Sequence, residues 1–301
     1  RHLKNKKIRV FLMIKWLIKK QDEAAVASIR KQFGFCDAVA RVLYNRGLTD
    51  KASIESFFDI DIANLHDPLL LADMEKATAR INKAVANGEK ITVYGDYDVD
   101  GITSVVVLYR YLTSVGAKVD YYIPDRTEEG YGLNTAALRS IYESGTSLIV
   151  TVDTGTTAVE EIAEAEGYGL DVIVTDHHEC KPTLPECIAV VNPKRPDSVY
   201  PYKELAGVGV VFKLVCALIG DSSKAFSFYG DLVAIGTIAD IMPLVDENRI
   251  LVSLGLELLR KRPSCGIRAL LEASGGYKHG QITASTIAFQ VAPRINAAGR
   301  I

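Results

Sequence analysis

Cysteine is scarce here. Five residues, an odd number at no framework spacing, give no disulfide scaffold and fit reduced thiols in a cytoplasm. No internal repeat is present, and no run approaches the ~20 apolar residues of a membrane span. The one stretch that imitates a signal peptide, Val10 to Ile18, is interrupted by Lys15. It is followed by Lys19-Lys20-Gln21-Asp22-Glu23, where small cleavage-site residues belong. Net charge is also small, at -2, but it is the sum of +8 over residues 1–20, -15 over 21–253 and +5 over 254–301. Phosphate neutralisation makes nucleic-acid binders commonly basic, so the acidic body alone argues mildly against that class.

What the sequence does have is apolar content, 48% of 301 residues. That is enough for a sizeable core, in one large domain with attachments or in two. Periodicity predicts helices over Ala24–Phe33, Asp37–Asn45, Lys51–Phe58 and Met74–Asn87. From Lys90 the pattern changes to short β-branched runs: Ile91–Tyr94, Val119–Ile123, Leu148–Val152, Val172–Thr175 and Ile188–Val191. Helical segments join the first four, beginning with Ile102–Val115. The expected class is α/β, with a mostly parallel five-stranded sheet and helices on both faces. A buried helix over Asp231–Leu244, ended by Pro243, and a helical arm broken at Pro263 and Gly275-Gly276 follow. The expected division is an added tail at 1–12, a helical segment at 13–75, the α/β domain at 76–250 and a helical connector at 251–301.

In open α/β sheets ligands bind beyond the carboxyl ends of the strands. The exits read Asp96-Tyr97-Asp98-Val99-Asp100-Gly101, Pro124-Asp125-Arg126, Asp153-Thr154-Gly155, Asp176-His177-His178 and Asn192-Pro193-Lys194-Arg195. A single aspartate at such a place reads as a turn or an N-cap. Five or six carboxylates on one edge repel each other, and metal ions are the simplest resolution. Asp240, on the apolar helix, would cost several kcal/mol if buried charged without a partner. Carboxylate oxygens with one or two imidazoles suit Mn²⁺ or Mg²⁺ more than zinc. Cys180 and Cys187 lie close to the histidines, but their spacing matches no familiar zinc site and leaves the carboxylates unexplained.

Six segments now carry a family resemblance. They are Tyr94 to Gly101, Val152-Asp153, Asp176-His177-His178, Ala206-Gly207-Val208-Gly209, Ile238-Ala239-Asp240 and Pro293-Arg294-Ile295-Asn296-Ala297-Ala298-Gly299-Arg300. In this order, over about residues 16–301, they resemble the DHH phosphoesterases. Within them they resemble the RecJ branch of 5′ to 3′ exonucleases specific for single-stranded DNA. The resemblance implies two-metal hydrolysis to 5′-mononucleotides, in DNA recombination and repair. One ion would be held by Asp100, Asp153, His177 and Asp240, and a second by Asp96, Asp98 and the bridging Asp153. His178 would hold the scissile phosphate or a metal-bound water. Arg126, Asn134, Arg294, Asn296 and Arg300 would face DNA.

The resemblance further implies a cytoplasmic, bacterial monomer without membrane attachment, with single-stranded DNA, single-strand-binding protein and a RecQ-type helicase as partners. A carboxylate cluster turns attractive to phosphate once divalent ions bind, so the acidic body is a poor guide to the partner. Departures are Tyr94, where many smaller DHH enzymes have His, and Thr154, where Cys is usual. The C-terminal domains of RecJ proteins are also not represented. Alternatives stay open: a phosphodiesterase for short oligoribonucleotides or dinucleotides, a non-catalytic DNA-binding relative, and a haloacid-dehalogenase-type phosphatase. The last would use Asp98-Val99-Asp100-Gly101-Ile102-Thr103 but leaves Asp176-His177-His178 without a role.

Overall fold

The computed structural model describes residues 20–126, 129–130, 132–275 and 282–298. They fall into two compact units, Arg1–Phe58 and Asp59–Ile301. The first unit contains α1 (Glu23–Phe33), α2 (Asp37–Asn45) and α3 (Lys51–Phe58). Asp22 caps α1 by accepting the N–H groups of Ala24 and Ala25, and Gly34 ends it at φ +69. Val26, Ile29, Ala40, Leu43 and Ile54 form its core. The expected tail at 1–12 lies outside the described residues.

The second unit alternates helix and strand: α4 (Met74–Asn87), β1 (Lys90–Gly95), α5 (Val99–Ser114), β2 (Lys118–Tyr122), α6 (Thr135–Glu143), β3 (Leu148–Val152), α7 (Val159–Gly167), β4 (Asp171–Thr175) and β5 (Ala189–Val191). All five strands are parallel, in the order β2-β1-β3-β4-β5. The expected α/β class is therefore borne out. The chain goes from β1 outward to β2, then crosses to the other side of β1 for β3. That reversal opens a crevice at the carboxyl ends of β1 and β3. Inner strands are buried on both faces and read as continuous apolar runs. Ile91, Val93, Val150 and Ile173 pack into one core layer with α4 and α5. Ile149, Val172 and Val174 pack into the other with α6 and α7.

Beyond the sheet come α8 (Gly207–Ile219), α9 (Ser222–Ala239), α10 (Asp246–Lys261) and α11 (Cys265–Ala273). A last stretch combines α12 (Ala284–Thr286), a π turn over Ile287–Val291 and α13 (Ala292–Ala298). Two helices differ most from the sequence expectation. Helix α5 starts at Val99 rather than Ile102, because Asp98 is its N-cap and accepts the Gly101 N–H at 3.0 Å. Helix α9 replaces the expected Asp231–Leu244. Asp221 caps its start through the Lys224 N–H at 2.9 Å, and a left-handed Ile241 stops it before Pro243 is reached.

Candidate metal centre

The turn after β1 brings three aspartates together within five residues. Asp96 is buried at the strand end, Asp98 caps α5, and Asp100 lies in the helix's first turn. The chain doubles back so tightly that a Cβ on Gly101 would lie 2.5 Å from the Asp96 carbonyl oxygen. On the neighbouring strand β3, Asp153 takes φ +58 and Gly155 takes φ +109. Strand β4 ends in Asp176-His177-His178, and Asp240 is the C-cap of α9.

These residues converge as three sets whose candidate ligand atoms lie within 4.8 Å of one another: Asp96, Asp98 and Asp153; Asp100, His177 and Asp240; and Asp153, His177 and His178. His177 Nε2 lies 3.1 Å from Asp153 Oδ1, 3.6 Å from Asp240 Oδ2 and 3.9 Å from Asp100 Oδ2. Asp153 belongs to two of the sets, as does His177.

Packed this closely without cations, four of the carboxyls have pKa values raised above the ordinary carboxylate range. Burial first, then Asp153 and Asp240 against the opposing pull of His177, raises Asp100 well above the carboxylate range. Burial and the charges of Asp98, Asp176, Asp240 and Asp96 do the same to Asp153. Burial and Asp98 lift Asp96 to about 6, and Asp240 is also raised, by burial first. Four buried atoms here make no hydrogen bond: Asp96 Oδ1, Asp153 Oδ1, His177 Nδ1 and Asp240 Oδ2. Native interiors leave few such atoms, and each calls for a missing partner. Oxygen-rich sets with one imidazole are the donor chemistry of hard divalent cations, so the residues fit a pair of such ions.

Several supporting groups, though some lie in the motifs named above, have no role assigned to them by the sequence alone. Gly207 N–H donates to Asp100 Oδ2 at 2.7 Å and Val208 N–H to Oδ1 at 2.9 Å, so the start of α8 cradles that carboxylate. A Cβ on Gly207 would fall 2.4 Å from Asp153 Oδ1, and one on Gly236 would fall 2.9 Å from Asp100 Oδ1. Asp176 stands apart from the ligand sets. Its Oδ1 accepts the N–H groups of His177 at 2.7 Å and His178 at 3.2 Å, and pairs with His178 Nδ1 at 2.7 Å. Its Oδ2 accepts the Thr156 N–H at 2.9 Å. Burial is the largest single influence and opposes its charge, yet the His178 hydrogen bond and charge together with the N–H groups of Thr156 and His178 outweigh it, and its pKa is lowered. In return Asp176 raises His178.

The outer residues are placed differently. The Arg126 guanidinium lies 5.0 Å above the Tyr97 ring, near enough to Asp96 to pull its pKa down. Asn134 caps α6 through the Ala137 N–H at 2.7 Å and donates to Glu129 at 2.9 Å, so the fold uses both ends of its amide. Arg294, exposed on α13, donates to the Gln290 carbonyl, and Asn296 Oδ1 is buried without a partner. Arg300 lies outside the described residues.

Comparison with known proteins places the fold in a family. The DHH family, N-terminal domain, matches residues 90–237. Residues 90–237 belong to the DHH family. Over 288 residues it is 48% identical to the single-stranded-DNA-specific exonuclease RecJ of Bacillus subtilis (strain 168), covering 96% of this chain and 36% of that protein. It is 39% identical over 281 residues to the RecJ of Dickeya dadantii (strain 3937), covering 88% and 48%. The chain thus spans about a third to a half of these DHH relatives. The crystal structure of Thermus thermophilus RecJ in complex with Mn²⁺ superposes with a TM-score of 0.76 at 32% identity, over 94% of this chain and 40% of that one. A further RecJ structure bound to manganese gives 0.68 at 40% identity, over 76% and 58%.

Proposed function

We propose that this chain is the nuclease core of a metal-dependent exonuclease. It degrades single-stranded DNA from 5′ to 3′, releases 5′-mononucleotides and serves recombination and repair in the bacterial cytoplasm. The carrying observation is the convergence of Asp96, Asp98, Asp100, Asp153, His177 and Asp240, four of them buried, with unpartnered oxygens on Asp96, Asp153 and Asp240. The similarity to single-stranded-DNA-specific RecJ exonucleases supports the substrate, and RecJ structures in complex with Mn²⁺ and with Mg²⁺ support the ions.

In this reading Asp100, Asp153, His177 and Asp240 hold one ion, and Asp96, Asp98 and Asp153 the other. Two divalent ions held there would supply activation of water at neutral pH and charge stabilisation for an in-line displacement. The protein's own contribution is placement. The start of α8 fixes Asp100, and the left-handed Asp153 serves both sets. Asp176 orients the partly exposed His178 ring and raises its pKa, which favours the form that donates to a phosphate oxygen. Arg126 adds a fixed positive charge beside Asp96, while Arg294 and Arg300 contact the DNA backbone with Asn296 orienting them, and Asn134 caps α6. Single-strand-binding protein and a RecQ-type helicase are the expected partners of a monomer.

The deciding experiment supplies Mn²⁺ to the full-length protein and compares 5′-labelled long single-stranded DNA, duplex DNA and short oligoribonucleotides. Loss of the 5′ label as a mononucleotide, from single strands in preference to the others, supports the assignment. Preference for the short RNA, or degradation from the 3′ end, overturns it.

A further inference from the structure

Helix α9 ends against the preference of its own backbone. Ile241 follows Asp240 at φ +59. Its N–H bonds to the Ile238 carbonyl at 3.2 Å, and the Met242 N–H reaches the Thr237 carbonyl at 3.4 Å. This is a Schellman-type close, whose left-handed position belongs to glycine because a Cβ there costs about 1–2 kcal/mol, and β-branched side chains suit it least. The same protein uses glycine after α1, α4 and α8, at φ +69, +65 and +74. Burial does not compensate for the isoleucine, which is 89% exposed.

The loop is nonetheless held firmly. Tyr202 Oη donates to the Pro243 carbonyl at 3.0 Å, and Asn248 Nδ2 to the same oxygen at 3.1 Å. Leu244 and Val245 add further exposed apolar surface on it. Its position is decisive, because Asp240 Oδ2 lies 3.6 Å from His177 Nε2. Adjacent Cα atoms are ~3.8 Å apart, so Ile241 stands within about one nucleotide's length of the carboxylate cluster. A strained, exposed, apolar residue next to a candidate ligand has no account in the folded chain alone.

We propose that Ile241 is a substrate-contact residue. Its side chain packs against the base of the nucleotide whose phosphate lies at the cluster. This rests on the exonuclease reading above. An isoleucine offers no hydrogen bond and every base has an apolar face, so the contact is indifferent to sequence, as degradation of an arbitrary strand requires.

The test uses Ile241→Gly and Ile241→Ala in the full-length protein with Mn²⁺. Glycine relieves the left-handed strain and raises the thermal midpoint. Both variants raise KM for long single-stranded DNA about fivefold with kcat little changed, the pattern of lost uniform binding. On a strand whose terminal nucleotides are abasic, parent and variants become equal. A structural role would move stability and KM in the same sense for glycine, whereas here they part. Unchanged KM in both variants, or an equal gap on the abasic strand, overturns the inference and leaves the exonuclease reading standing. A parent protein that leaves single-stranded DNA intact overturns both.

Discussion

The Gly207 N–H meets Asp100 Oδ2 at 2.7 Å across 107 positions of sequence. This contact lets a helix start neutralise part of a buried carboxylate whose other neighbours are Asp153 and Asp240. It also needs a residue without a Cβ, since any Cβ would sit 2.4 Å from Asp153 Oδ1. Gly207→Ala must therefore push Asp153 or withdraw α8. We expect a ~10–100-fold loss of Mn²⁺ affinity, as for other residues that support metal ligands, with the helical circular dichroism kept. Calorimetric Mn²⁺ titration checks it, and parent-like affinity would refute the cradle.

The carboxyl cluster sets how metal-free stability depends on pH. Asp100, Asp153 and Asp240 have folded pKa values raised above the unfolded value, and Asp96 sits at about 6. The folded state therefore binds more protons than the unfolded chain, and stability is lost as pH rises through the folded pKa values. Groups shifted the other way, such as Asp73 and Asp176, have delivered their stabilisation once pH exceeds about 4, the unfolded value. In EDTA the thermal midpoint should fall from pH 5 to pH 8. With Mn²⁺ the rise in midpoint should grow over the same range, because binding requires deprotonated carboxylates. A flat or rising EDTA curve would contradict the assignment.

How much of this was legible in the sequence follows from the range of each interaction. The strands could be read because β-branched runs report burial locally, and the aspartates and histidines because each directly follows a strand. The end of α9 could not, because apolar periodicity runs through Ile241 while the backbone turns left-handed there. The cradle on Asp100 was hidden for another reason. A backbone N–H has no residue type, and Ala206-Gly207-Val208-Gly209 shows only that something approaches closely. Asp176 stands beside the histidines like a ligand, yet all its oxygen contacts are spent on Thr156, His177 and His178.

That use of Asp176 gives a separate expectation. Its hydrogen bond first, and its charge, hold His178 protonated to higher pH against the effect of burial. Asp176→Asn keeps the shape, removes the charge and turns an amide N–H toward one of the former donors. The His178 ring should titrate at lower pH by NMR, and Mn²⁺-dependent activity should drop ~10–100-fold. An unchanged His178 titration would show that the pair does not set its charge.

Lys213 and Glu247 form the most deeply buried ion pair among the described residues, both side chains fully shielded. Glu247 also accepts the His66 N–H at 2.9 Å and the Tyr200 hydroxyl at 2.5 Å, while Lys213 donates to the His66 carbonyl at 2.7 Å. The pair thus ties α8 and α10 to the segment around His66. Desolvating two charges is expensive, and the attraction between them roughly returns that cost, so the pair as a whole adds little net stability. Removing one partner is different, because it strands the other charge: Lys213→Met or Glu247→Leu should each cost about 3–5 kcal/mol. The double variant should recover most of that loss, since no charge is left buried and the apolar replacements fill similar volume. Urea denaturation of the four proteins decides it through the coupling energy. Additive losses would mean that the two charges are stabilised by the surrounding hydroxyl and backbone groups rather than by each other.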